Sequence, residues 1–560
     1  INVQFQSHNH APFDGSGETT SVEWVITPYK GDWRVGAEHY RCWLKTQRPL
    51  VPLERQRPAW VKDIRFMAIT GLNTELIAEL ARKVDPTRSV LYVPNWRKDR
   101  YDVNYPDYTA SEQLGPFMVA AHALGFRVML HVNYFGCDEK HALYERFKAY
   151  HLRSPHSDSL QWWIPPRQRE KAGTPTIKFA YIHPGCAAWR ALLVERFREL
   201  TETYGVDSLH LDQTLCIPNH NRGRVDGLTV PEGNLLMHRE LREAMPAVAL
   251  SGEGLNEVTT PYEAFAQRHA PRAVDHSHGS WNEAAVGYGH PVSSYLFLPQ
   301  TVINGYLGLT NPANEGLYRA WKRSYENWGV IPTYARPSTA QLEAPSDEVR
   351  LLLEEAVLWT EHRLLPDFTG DWGSQTKFRW RGDDGVRVTM VAGPGNGSHC
   401  LLTGRNGRAR ELYRYVQGAT RHESKADIQG WVAFDDDTIL GLHPERTYLC
   451  SQRPRDPNVP HLATIPEQAV VQTARRNETR LVVELRDFAA ERFFDLVEEV
   501  RSATCTVRTE AGETALERGG KFETGENVCG GIRRRSIFAH PPWHARQDVP
   551  GGVLGQTVAA

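Results

Sequence analysis

Between about residue 60 and residue 335, short apolar runs alternate with longer stretches of helical spacing, and this alternation constrains the fold more than any other feature. A strand that returns after each helix joins the sheet parallel to its predecessor, because the crossover carries the chain back to the same edge. The pattern therefore predicts an α/β fold. Strands are expected at Ile64–Thr70, Ser89–Asn95, Arg127–Phe135, Ser208–Asp212, Ala247–Gly252 and Ala273–His276, with two more near Tyr295–Leu307 and Val330–Tyr334. Eight such strands close a (β/α)8 TIM barrel. Helical spacing covers Thr74–Val84, Ser111–Leu124, Ala188–Thr203, Leu235–Ala244 and Asn314–Trp328.

The flanks read differently. Residues 1–58 hold an alternating stretch and then a helix-like segment from Gly31, as expected for the end of an N-terminal β-domain with a linker helix. A segment rich in Pro and Arg separates them from a barrel spanning 59–368. Beyond it, short strands between Gly, Asn and Asp turns predict a β-sandwich over 369–454 and a second β-rich domain over 455–560. Strands are expected at Lys377–Trp380, Val386–Ala392, His399–Thr403, Trp431–Phe434, Thr447–Cys450, Arg480–Leu485 and Cys505–Arg508. The glycine-rich run from Gly393 lies between two strands rather than before a helix, so it reads as a hairpin loop and not a phosphate cradle.

A formal net charge of −2 argues against nucleic acid or an anionic membrane as partner. The 16 Trp, 21 Tyr and 19 Phe supply flat apolar faces on which sugar rings pack, although most such residues belong to a core. The eight cysteines show no C-x-x-C spacing, so free buried thiols are expected rather than a zinc knuckle or a disulfide framework. No run approaches the roughly 18–20 apolar residues that span a bilayer. The start of the chain does not give the compartment, with a secreted or periplasmic setting favoured, and oligomeric state is open.

Asp212 and Glu253 each end a predicted strand, about 40 positions apart, the length of one βα unit, so two carboxylates meet at the active mouth of the barrel. Paired carboxylates there point to glycoside hydrolysis: one protonates the leaving oxygen while the other attacks the anomeric carbon or activates water. Glu253, between Gly252 and Gly254, suits the acid, since a sugar can approach the backbone there, and the shorter Asp212 suits the nucleophile. The plainer alternative makes Asp212 a turn cap and Glu253 a structural ion pair. Strand periodicity puts His210 on the face of Asp212, and puts His131 beside Asn133. Asn133 is expected to contact ligand. For the two histidines, hydrogen bonding inside the barrel competes with that role. Tyr92, Trp96 and Tyr134 are further candidates for sugar binding, and the loop Asn95–Asp107 is either a subsite or solvated. Asp275 and His276 are expected to hold sugar hydroxyls, because nothing nearby completes a metal-ligand set. Neither metal nor cofactor is expected.

Ile182-His-Pro-Gly-Cys-Ala-Ala-Trp-Arg190, Tyr204-Gly-Val-Asp-Ser-Leu-His-Leu-Asp212 and Ser251-Gly-Glu253, taken in order, resemble motifs of multidomain glycoside hydrolases that join a β-sandwich, a (β/α)8 barrel and a C-terminal β-domain. The resemblance covers roughly residues 30–450. It is to relatives of endo-α-N-acetylgalactosaminidase and to the wider α-amylase and α-galactosidase barrels, as an uncharacterised branch. It implies that Asp212 is a nucleophile, Glu253 an acid/base, and that an α-linked oligosaccharide or polysaccharide is cleaved with retention. His210 stands where the amylases carry an Arg, and Asp275-His276 matches their His-Asp pair only loosely. Two alternatives stay open: an inverting hydrolase with Asp212 as base, and a non-catalytic glycan-binding protein on the same architecture.

Overall fold

The computed structural model describes residues 24–368, apart from 49, 56–57, 155–156, 165–177, 216–219, 221, 269–290, 299, 307–324 and 326–327; beyond 368 it describes strands between 377 and 539. The chain divides into two compact units, one carrying the barrel and the other the strands beyond residue 362.

In the first unit eight parallel strands follow one another around a single sheet: β1 (Phe66–Ile69), β2 (Ser89–Val93), β3 (Arg127–Asn133), β4 (Ser208–Asp212), β5 (Ala249–Glu253), β6 (Phe265–Arg268), β7 (Val302–Gly305) and β8 (Thr333–Ala335). β8 pairs with β1, and the segment entering β8 reaches β7 through the parallel bridge Ile303–Val330, so the sheet closes into a barrel. Sequence order equals spatial order, the arrangement of a (β/α)8 barrel.

The sixth strand differs from expectation. It is Phe265–Arg268, joined to β5 by residues 254–264 with a single 3-10 turn at Thr260–Tyr262, whereas the expected Ala273–His276 lies outside the described residues, as does most of the expected helix Asn314–Trp328. Phe265-Ala-Gln-Arg is two apolar residues followed by two polar ones, too short and without the alternation that marks a strand, and Pro261 so close to β5 disguises it as loop. The stretch from Tyr295 also divides, into a short helix, Val292–Phe297, and β7.

Helices α1 (Trp33–Gln47), α2 (Thr74–Leu80), α3 (Leu114–Leu124), α4 (Ala187–Tyr204), α5 (Val230–Ala244) and α6 (Asp347–His362) belong to the same unit. Local chemistry fixes their ends. The Asn73 side chain accepts from the Leu76 N–H at the start of α2, and Thr229 with Glu232 forms a capping box on α5. Gly125 and Gly205, at φ 98° and 67°, end α3 and α4 in the left-handed conformation that costs glycine nothing, turning the chain into β3 and β4.

Alternate residues of each strand face the two sides of the sheet. Leu91, Leu130, Leu209, Leu211 and Leu250 are buried in the layer shared with Ile77, Phe117, Leu193, Phe197 and Leu241 of the helices. Each such side chain contributes roughly 1.5–3 kcal/mol on burial. The residues between them point into the barrel, where the polar groups collect. Asp207, at the opposite end of β4 from Asp212, accepts from His122 Nε2, Arg127 Nη1 and the Val128 N–H, and so ties α3 to β3 and β4.

In the second unit the described strands pair antiparallel. Leu365–Pro366, Lys377–Arg381, Val386–Ala392 and Ser398–Gly404 form one sheet, and Arg410–Val416 pairs with His422–Glu423 and Arg446–Gln452. Five strands between Val470 and Ala539 form another. The expected strand Trp431–Phe434 lies outside the described residues.

Candidate active site

Asn133, the last residue of β3, is in register with Asp212 on β4. Leu211 is in register with Gly252, which brings Asp212 level with Glu253, and Glu253 with Gln267 on β6; Gln267 pairs in turn with Asn304 on β7. Five polar side chains on five successive strands therefore form one ring at the C-terminal mouth, all buried to within 8% of full. Neighbouring strands lie about 4.8 Å apart, so groups level with one another interact directly.

Asn133 holds this ring together. Its Nδ2 donates to Asp212 Oδ2 at 3.1 Å, while its Oδ1 accepts from the N–H groups of Phe135 (3.1 Å) and Gly136 (2.7 Å), which fixes the amide orientation. Glu253 Oε2 accepts from the Gln213 N–H at 2.8 Å, and the Glu253 backbone exchanges hydrogen bonds with the Thr214 hydroxyl. Gln213 adopts φ 64°, so the turn after β4 is bent to aim that N–H at the neighbouring carboxylate. Burial, followed by the charges of Glu253 and Asp102, pushes the Asp212 carboxyl well above the ordinary range, against the lowering effect of Asn133.

One layer deeper, His131, His210 and Ser251 are level with one another. Tyr92 Oη bonds His131 Nδ1 at 2.8 Å, and His210 Nδ1 bonds Ser251 Oγ at 3.0 Å. The two imidazoles stack with centroids 5.6 Å apart. Burial, then the neighbouring His210, pushes His131 well below its usual value, so it is neutral at pH 7. Tyr92 is buried with its ring edge against His210, inside the barrel rather than at an open face.

Two candidates prove to be core residues. Trp96 and Tyr134 have no exposed surface: Trp96 donates Nε1 to the His131 carbonyl at 2.7 Å, and Tyr134 packs on Phe135 and His238 in the helix layer. A single step along β3 from Asn133 reverses the facing, which is why Tyr134 leaves the barrel. Asp275 and His276 lie outside the described residues. Gln267 was not foreseen because β6 was expected later in the chain, and Asn304, although inside the strand expected near Tyr295–Leu307, was not singled out. Tyr101 and Asp102 were covered only as part of a loop. Tyr101 is exposed and lies on His131 with centroids 4.6 Å apart, and Tyr306 is exposed after β7. Asp102, buried at φ 62°, accepts from Trp163 Nε1 at 3.1 Å, and burial raises its carboxyl to about 6.

The glycines beside Glu253 meet packing and backbone demands. A methyl on Gly252 would sit 2.1 Å from the carboxylate of Glu263, a fully buried acid whose Oε1 lies 3.3 Å from Nε2 of the equally buried His238. Gly254 takes φ 86°, where other residues are strained.

A family model described as "Domain of unknown function (DUF6259)" matches residues 19–272, a stretch containing both Asp212 and Glu253. No curated protein matches the chain. Among solved structures, similar ones include the α-N-acetylgalactosaminidase NagBb from Bifidobacterium bifidum. Its quadruple mutant is 13% identical over 66% of this chain and 63% of that one, with a TM-score of 0.48. Its GalNAc complex is 14% identical over 66% and 63%, with a TM-score of 0.45. The GH36 α-galactosidase AgaA from Geobacillus stearothermophilus is 11% identical over 71% and 55%, with a TM-score of 0.39. The chain thus spans about 63% of the length of the first of these.

Proposed function

We propose that the chain is a glycoside hydrolase that cleaves an α-linked glycan with retention, with Asp212 as nucleophile and Glu253 as acid/base. The observation that carries this reading is the level pairing of two buried carboxylates on adjacent strands at the C-terminal mouth of a parallel barrel. Two such groups hold one proton between them, because ionising both places like charges side by side in a poorly solvated site. With the proton on Glu253, one of the charges that push Asp212 upward is gone, and Asp212 is the carboxylate of the pair in this reading. Glu253 then protonates the leaving oxygen as Asp212 attacks the anomeric carbon. Glu253, now a carboxylate, deprotonates the water that releases the sugar.

Around this pair, Tyr101 and Tyr306 offer aromatic faces to the sugar ring, while Asn133, Gln267 and Asn304 suit its hydroxyls. His131, His210 and Tyr92 support the floor of the site. Residues 59–368 form the catalytic barrel in this reading, with a β-sandwich over 369–454 and a second β-rich domain after it.

The raised carboxyl of Asp212 favours a second reading, in which it is the base of an inverting enzyme. The anomer first released, followed by proton NMR, decides between them: α product from an α-glycan for retention, β for inversion. The hydrolase reading itself is tested by incubating α- and β-linked glycans with wild type and Asp212→Asn, and detecting released sugar by mass spectrometry. Product from wild type alone is expected. Product that persists in the variant moves the chemistry away from Asp212, and glycan binding without product from either chain supports a binding protein.

A further inference from the structure

His131 and His210 stand directly beneath the proposed nucleophile. One donor atom from each of His131, His210 and Asp212 lies within 4.8 Å of the other two, and all three residues are buried. Nε2 of His131 makes no hydrogen bond although His131 is only 2% exposed, and it faces Asp212 Oδ2 at 3.9 Å. Leaving a buried imidazole nitrogen without a partner is unfavourable, so a group that satisfies it is favoured there.

We propose that His131, His210 and Asp212 form a binding site for a divalent transition metal ion, of which zinc suits the donors best. Two imidazoles and one carboxylate are a ligand set for such ions, which bind nitrogen at about 2.0–2.1 Å and leave a further position for water. The surroundings match what metal-bound histidines require, since each imidazole has its Nδ1 on a hydroxyl: Tyr92 for His131 and Ser251 for His210. Such contacts fix ring orientation. Asp212 keeps 8% of its surface exposed, which gives an ion a path from the barrel mouth.

The site stands on this geometry and goes beyond the glycosidase reading. If that reading holds, an ion there takes up the carboxylate needed for attack and so inhibits cleavage.

Binding is measured directly, without a glycan, on the full chain in a Cys42→Ser background, because Cys42 is an exposed thiol. Calorimetry with zinc and visible absorption with cobalt are expected to give one ion per chain, with a cobalt band characteristic of mixed nitrogen and oxygen ligands. His131→Gln is expected to weaken zinc at least about 100-fold, and Ser251→Ala, which removes only a supporting hydroxyl, about 10-fold. If His131→Gln does not fold, as judged by circular dichroism, Ser251→Ala carries the comparison. Absence of stoichiometric binding to the parent chain overturns the proposal, as does unchanged affinity in both variants. A chain that is inactive when metal-free and still binds one zinc ion overturns only the hydrolase reading.

Discussion

Asp212 is placed so that its charge costs stability. Its folded-state pKa lies above its unfolded value, so the carboxyl favours folding while it is protonated, and that advantage is lost as pH rises through the folded pKa. At pH 7 Asp212→Asn removes the charge and keeps an acceptor for the Asn133 amide. The variant is expected to lose about 10³-fold or more in kcat, as removal of a nucleophile does, while gaining stability, read as a rise in Tm of about 2–4 °C for each kcal/mol relieved. A drop in Tm would show that the carboxylate is held by favourable contacts instead. Asp102 offers a second test. Its carboxyl titrates at about 6, so if it accepts a sugar hydroxyl, kcat/KM rises with pH through that value in wild type and loses this step in Asp102→Asn. Of these residues, Asp212, Glu253 and Asn133 were legible in the sequence because each ends an apolar run. Asp102 was not, since only the fold of its loop buries it.

The elements around the site are fixed by contacts that share little with its chemistry. β5 is the clearest case: Ser251 and Glu253 face inward, while Gly252 faces outward onto the Glu263 carboxylate, beside His238 of α5. Gly252→Ala is expected to cost about 1–3 kcal/mol through overpacking, lowering Tm in a thermal melt, with KM little changed in the protein that remains folded. A rise in KM without loss of Tm would restore the sugar-access role that the sequence had offered for this glycine. Helices such as α3 and α4 were readable because capping and periodicity are local. β6 was not, because four residues carry too little periodicity to announce a strand, and its identity comes from pairing with β5 and β7. Trp96 lies in a loop, where nothing local tells which layer it will face, whereas the outward facing of Tyr134, one step past Asn133, follows from strand periodicity.

The whole molecule carries a formal net charge of −2 and, among its described residues, no helix long and apolar enough to cross a membrane. A neutral glycan bound through hydroxyl and ring contacts should therefore bind with affinity that changes less than about twofold between 50 and 300 mM salt by calorimetry, whereas an anionic ligand would show a steep dependence. The alternation of apolar strands and amphipathic helices determined a parallel α/β barrel and the end of that barrel at which carboxylates would collect, because side-chain periodicity and chain reversal are properties of the sequence itself. Tertiary structure alone decided which residues meet there. Level placement of Asn133, Asp212, Glu253, Gln267 and Asn304, the burial that shifts the proton affinity of Asp212, and the approach of His131 and His210 beneath it all depend on the register of strands far apart in the chain. Register follows from how the barrel closes, and closure is a property of all eight strands together.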